Sequence, residues 1–158
     1  MSCGVALAVS LLLSDPNVAL AAAQPAAAAD APVSVAGEPL FADIVARSTT
    51  LKALASSWRD SGELDQAGFA AGPVFAGFRS QAAELAALDL QGHLVLKERG
   101  VDGDLKCILR GISEDIPVKV AAFESATDPA ERRVALDELL YLLDDNAAVI
   151  TAPPQPEV

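Results

Sequence analysis

Four stretches of the chain carry apolar residues at the three- and four-residue spacing of an amphipathic α-helix, and glycine or proline punctuates the sequence between them. A helix with one apolar face must bury that face, and four such helices joined by short turns can bury all four faces together. The sequence therefore predicts an all-α fold, an antiparallel bundle of about four helices, over residues 38–150. A disordered N-terminal leader is expected to precede it.

Proline and glycine set the predicted limits of the first two helices. The first begins near Glu38 and Pro39 and ends at Gly62, because proline suits a first helical turn and glycine a helix end. Pro73 interrupts the region that follows, so we expect a short turn of helix and then a longer helix reaching Arg99; an extended segment over residues 93–96 is the alternative. The predicted apolar faces are Leu40, Phe41, Ile44, Leu51, Leu54, Ala55 and Trp58, then Val74, Phe78, Ala82, Leu85 and Leu88, with Phe75 at the edge.

The third helix is predicted to start at an Asp104 cap, and Pro117 is predicted to break or kink it. The last helix has the clearest limits, with Asp128 as its cap, Pro129 in its first turn and Asn146 as a left-handed stop. The predicted apolar faces are Leu105, Ile108, Leu109, Ile112, Ile116, Val120 and Phe123, then Leu136, Leu139, Leu140 and Leu143.

The N-terminal residues predict export. Residues 5–13 form an uncharged apolar run, shorter than the roughly 20 residues of a membrane span, and small-residue cleavage sites follow it. We expect a secretory signal peptide over 1–23, a flexible Ala/Pro-rich linker over 24–37 and a Pro-rich tail over 151–158. No Lys or Arg precedes the apolar run, so either the signal is atypical or the true start lies upstream of Met1; the alternative is an Ala-rich disordered tail. Export predicts a periplasmic or secreted protein with no membrane span after cleavage.

The net charge of the chain argues against two classes of partner. The net charge is −11, which argues against nucleic acid and disfavours anionic lipid, because both require a basic surface. The sequence lacks the nucleophile elbow, the phosphate-binding glycine loop and the paired histidines of a zinc protease. No pattern indicates a cofactor, so we expect a protein that is not an enzyme.

Cys107 is the one cysteine expected in the mature chain, and it stands in the first turn of the third helix between Lys106 and Arg110. One hypothesis is a reactive or disulfide-forming thiol that joins a second copy or another protein. The alternative, which the helical wheel favours, is a small inert residue packed beside Gly111 against a neighbouring helix. His93 is the only histidine, and no spacing indicates a metal site shared with Cys107 and carboxylates.

The outer side of the last helix is the second candidate site. Its acidic residues recur at a seven-residue interval, and two residues that favour cover lie among them. The predicted interaction face consists of Val134, Asp137, Glu138, Tyr141, Asp144 and Asp145. A solvated helix face is the alternative.

Together these features predict an exported helical-bundle protein that acts by protein–protein interaction, with an unidentified protein or a second copy as partner. The alternative is a small-ligand or metal carrier that uses the bundle interior.

Overall fold

The computed structural model describes residues 34–100 and 104–152, and these residues form four α-helices without a strand. Two short 3₁₀ turns, Glu63–Asp65 and Phe69–Ala71, lie between the first two helices, as the interruption before Pro73 predicts. The predicted signal peptide, most of the predicted linker and the last six residues of the chain lie outside the described residues. The helices are α1 (Pro39–Ser61), α2 (Pro73–Glu98), α3 (Leu105–Ser125) and α4 (Pro129–Thr151).

The helices pack as an antiparallel four-helix bundle. Each helix contacts the next one along the chain, and α1 contacts α4. Short connections between consecutive helices reverse the direction of the chain at each turn. The predicted fold class is confirmed. Among the residues that the structure describes, no helix is both long and apolar enough to cross a membrane.

Local sequence signals fix the ends of most helices. Pro39, Pro73 and Pro129 occupy first-turn positions, where a missing N–H removes no helical hydrogen bond. The Asp128 carboxylate accepts hydrogen bonds from the backbone N–H groups of Ala130 and Glu131, at 2.7 and 3.3 Å. Gly62 ends α1 with φ +74°, a left-handed conformation that glycine adopts without strain.

One end of the interior is aromatic. The Trp58 ring lies 5.0 Å from the rings of both Phe69 and Phe78, and Phe75 lies 4.9 Å from Phe123. These rings come from α1, a 3₁₀ turn, α2 and α3, so they hold the bundle together where three helices meet the α1–α2 connection. Aliphatic side chains continue the core from this end, and the predicted face of α1 is buried in it or packed against it.

The predicted apolar face of α2 is wrong by one residue at its start. Phe75 is fully buried, whereas Val74 is 55% exposed. Successive helical residues point about 100° apart, so Val74 and Phe75 face different directions. The larger Phe75 takes that place because its ring completes the aromatic end.

Pro117 neither breaks nor ends α3, which is continuous from Leu105 to Ser125. Proline removes one helical hydrogen bond, but Pro117 is exposed, on the side of the helix away from the core. Ile112 and Ile116 before it and Val120 after it are all buried. Burial of this stripe along the whole helix outweighs the local preference for a break.

Asn146 does not end α4, which continues to Thr151. Its side chain and that of Ile150 are fully buried, and Val149 is buried with 8% exposure. The prediction of a stop used only the local preference of asparagine for helix ends, and the interior contacts of its amide outweigh that preference.

Candidate functional site

A groove of about 760 Å³ runs between α3 and α4 on the surface of the bundle. It is open to solvent along its length, and five of the six residues of the predicted interaction face line it. The sixth, Asp144, points instead toward α1, where its Oδ1 accepts a hydrogen bond from Lys52 Nζ at 2.5 Å. The lining residues are Ile108, Gly111, Ile112, Asp115 and Lys119 from α3, and Val134, Asp137, Glu138, Tyr141, Leu142 and Asp145 from α4.

The groove is acidic. Asp115, Asp137, Glu138 and Asp145 line it, and Lys119 is the one cation in its lining. Lys119 Nζ donates a hydrogen bond to Glu138 Oε2 at 2.8 Å, and this bond raises the pKa of the ammonium group. Arg59 of α1 also pairs with Asp137, at 3.5 Å between Nη1 and Oδ1. Two cations thus accompany four carboxylates, and the groove keeps a negative potential that favours cationic ligands.

Apolar side chains stand exposed within this acidic surface. Tyr141 is 73% exposed and Val134 is 59% exposed, and the two are seven residues apart on one side of α4. An exposed tyrosine next to aliphatic groups is typical of protein interfaces, where its ring fills a pocket and its hydroxyl stays hydrated.

A second depression of about 520 Å³ continues the groove toward the α3–α4 turn. It shares Val134 and Glu138 with the groove, and alanines form much of its lining. The two together extend along α4 from Ala130 to Asp145, which is about 22 Å at 1.5 Å per residue. We call this whole surface the α3–α4 groove.

Cys107 is exposed, so the interpretation of a residue packed against a second helix is wrong. Its side of α3 carries Gly111 one turn later, and Gly111 lines the groove. Cys107 itself is not among the residues that line the α3–α4 groove. That it forms a disulfide with a second copy or another protein stays a prediction.

His93 lies at the junction of α2 and α3. Its Nδ1 is 2.5 Å from the backbone carbonyl oxygen of Lys106, and since that oxygen can only accept, Nδ1 carries the proton. The contact secures the start of α3 just before Cys107. No hydrogen bond joins His93 to Cys107 in the described part of the chain.

Sequence reasoning missed a layer of three polar side chains inside the bundle, which we call the polar layer: Ser48 of α1, Asp89 of α2 and Asn146 of α4. All three are 0% exposed. The Asn146 amide nitrogen donates to Ser48 Oγ at 3.1 Å and to Asp89 Oδ2 at 3.0 Å. One amide thus joins three helices.

The Asp89 carboxyl has a raised pKa. Burial raises its pKa to about 7, and the hydrogen bond from Asn146 opposes this by lowering it. No cation contributes to the shift. A carboxyl buried without a cation favours its neutral form, because ionisation would place an uncompensated charge in a region of low dielectric constant.

Within residues 34–100 and 104–152, no group of three or more His, Cys, Asp or Glu side chains is placed to hold a metal ion. Comparisons with protein-family models, curated proteins and solved structures found no match. The function must therefore be inferred from the chemistry of the α3–α4 groove and the polar layer.

Proposed function

We propose that this chain is an exported helical-bundle protein that acts by binding a protein partner in the α3–α4 groove. The observation that carries the proposal is the combination, on one surface, of an exposed tyrosine and valine with a surplus of carboxylates. Interfaces use exposed aromatic side chains as anchors and complementary charge for orientation.

The partner that fits is a basic, amphipathic helix. The groove is about 22 Å long, which matches a helix of roughly 15 residues at 1.5 Å per residue. Leucines on one side of such a helix would contact Val134, Tyr141 and the alanines, and lysines or arginines would meet the carboxylates. Nucleic acid and anionic lipid carry charge of the same sign as the groove and would be repelled.

A second copy of the chain fits this surface less well. The chain carries a net charge of −11, and a symmetric contact across the groove would oppose carboxylates to carboxylates. Like charges brought together at an interface lower affinity by several-fold or more. A homodimer, if it forms, would therefore use another surface.

The groove is tested with a labelled synthetic peptide of about 15 residues that carries lysine on one helical side and leucine on the other. Fluorescence anisotropy should show binding that weakens as salt is added, and a peptide with glutamate in place of lysine should not bind. Equal binding of both peptides would contradict an acidic docking groove.

Variants locate the binding surface. Asp145 lines the groove, and we expect Asp145→Lys to weaken binding of the lysine peptide about tenfold. Glu98→Lys makes the same change of charge at an exposed position on α2, outside the groove, and should weaken it much less. Equal effects of the two variants would mean that the peptide responds only to net charge.

Export is supported by the N-terminal pattern alone, and it has its own test. The intact mass of the protein recovered from the exported fraction should correspond to a chain that begins at Gln24. A chain that retains residues 1–23 would overturn cleavage after Ala23.

A carrier that uses the bundle interior is the remaining alternative. The described interior is filled by the apolar core and the polar layer, so a ligand there would have to displace packed side chains. We therefore favour the surface groove.

A further inference from the structure

The orientation of the Asn146 amide is fixed by its neighbours. Ser48 Oγ donates its hydrogen to the backbone carbonyl of Ile44 at 2.9 Å, so toward Asn146 it can only accept. The nitrogen of the amide must therefore face Ser48 and Asp89, and both of its hydrogens are used there. This leaves the amide oxygen, Oδ1, directed elsewhere.

Two oxygens of the polar layer have no hydrogen-bond partner: Oδ1 of Asp89 and Oδ1 of Asn146. Among the described residues, the one other buried side-chain nitrogen or oxygen in this condition is Arg132 Nε. The two unpaired oxygens of the polar layer belong to Asp89 and Asn146. A 3.0 Å hydrogen bond from Asn146 Nδ2 to Asp89 Oδ2 already joins these two side chains. A buried acceptor without a donor lowers the stability of the fold, so these two unpaired oxygens require an explanation.

One proton resolves both deficits. A carboxylic acid and an amide can pair through two antiparallel hydrogen bonds, one from the amide N–H to the acid carbonyl and one from the acid O–H to the amide oxygen. The first of these bonds is present. We propose that Asp89 is a buried proton-binding site, in which a proton on Oδ1 donates to Asn146 Oδ1 and closes the joint between α1, α2 and α4.

Loss of this proton leaves a charge that nothing nearby compensates. The shift of the Asp89 pKa arises from burial and from the Asn146 hydrogen bond alone. The nearest charged or titratable groups on each helix pair with other groups or lie at the surface. On α1 and α2, Arg47 pairs with Asp43 and Glu84, Lys52 pairs with Asp144, and His93 contacts the Lys106 carbonyl. On α3, whose Leu109 packs against Gly92 beside the polar layer, Arg110 pairs with Glu114, and on α4 Asp145 lines the groove.

The proton makes the bundle sensitive to pH in a defined direction. The pKa of Asp89 is about 7 in the folded protein and 3.8 for an unburied aspartate, so the folded state binds the proton more tightly. The stabilisation is complete below the pKa of the unfolded chain and is lost as the pH rises toward the folded value. Above about pH 7 both states are ionised, and the effect of pH levels off.

The test compares urea unfolding of the wild type with Asp89→Asn, an isosteric variant whose amide copies both hydrogen bonds of the protonated acid. The unfolding constant of the wild type, divided by that of the variant, should rise about tenfold from pH 5 to pH 6 and about fivefold from pH 6 to pH 7. From pH 5 to pH 8 the total rise should be about a hundredfold. The matched control is Glu98→Gln, the same change at an exposed position of α2, for which the ratio should stay flat.

A ratio that stays constant from pH 5 to pH 8 for Asp89→Asn would overturn the proposal. Equal slopes for Asp89→Asn and Glu98→Gln would overturn it too, because any carboxylate would then explain the effect. If Asp89→Asn does not fold, amide hydrogen exchange of wild-type α4 decides the question. Protection of the amides around Asn146 should fall between pH 6 and pH 8 after correction for intrinsic exchange, and unchanged protection would contradict a proton-closed joint.

Discussion

Asp89 and Asp145 are the same kind of side chain in opposite surroundings. Asp89 is sealed in the interior with one amide donor and no cation. Asp145 is half-buried in a groove that is open to solvent, among other carboxylates. Burial without a cation raises the pKa of Asp89, because it destabilises the ionised form.

The polar layer should determine the stability of the fold, and the groove should determine binding. The polar layer connects three helices in the interior, so changes there should alter folding. The groove contributes carboxylates and exposed apolar groups that the bundle does not need for its own core. Changes in the groove should alter binding and leave folding nearly intact.

The largest effect on folding is expected from Asn146→Ala. The substitution removes the donor to Asp89 and to Ser48 and leaves buried acceptors without partners. We expect a loss of about 3 kcal/mol in the free energy of unfolding, measured by urea denaturation. A loss of no more than about 0.5 kcal/mol, the usual effect of a surface substitution, would contradict a polar layer that joins three helices.

A smaller effect is expected from Gly92→Ala, one turn after Asp89. A methyl group there would lie 3.1 Å from Leu109 Cδ1 and 3.3 Å from Phe41 Cε1, closer than ordinary contact. We expect a loss of about 1–2 kcal/mol in the free energy of unfolding. Gly77→Ala on the same helix meets nothing within 4 Å and should instead stabilise by up to ~1 kcal/mol through helix propensity. A stable Gly92→Ala variant would show that the interior beside Asp89 is looser than its packing indicates.

The smallest effect on folding is expected in the groove. Tyr141→Ser should leave the midpoint of urea unfolding nearly unchanged, because the ring is 73% exposed and outside the core. The same variant should weaken binding of the lysine–leucine peptide about tenfold, measured by fluorescence anisotropy. A large loss of stability with unchanged binding would reverse the roles that we assign to the two regions.

Much of the fold was predictable from the sequence because apolar spacing and turn residues act locally. Four helices, the interruption before Pro73 and the Asp128 cap follow from neighbours within a few residues. The errors at Val74 and Pro117 occur where packing across the bundle overrides a local preference. Five residues of the predicted interaction face line the groove, and two pairs among them, Val134 with Tyr141 and Glu138 with Asp145, are seven residues apart on one side of α4. Asp144 is seven residues from Asp137 but pairs with Lys52 of α1, a contact between distant parts of the chain that spacing does not predict.

The polar layer was not predicted because its contacts join distant parts of the chain. Asn146 bonds to residues 57 and 98 positions away. A signal was nevertheless present: Ser48 falls within the apolar stripe of α1, between Ile44 and Leu51, where a core residue is expected. Asp89, in the same way, stands four residues after the buried Leu85. Polar residues at core positions of separate helices indicate a shared interior network.

The central claim is that Asp89 binds a proton inside the folded bundle, where burial raises its pKa well above that of an ordinary aspartate. Carbon-13 NMR of the aspartate side-chain carboxyls, recorded as the pH is raised, tests this directly. The resonance that Asp89→Asn removes should titrate with a midpoint near pH 7, the raised pKa that burial produces. A midpoint for that resonance in the ordinary aspartate range, near pH 4, would contradict the account.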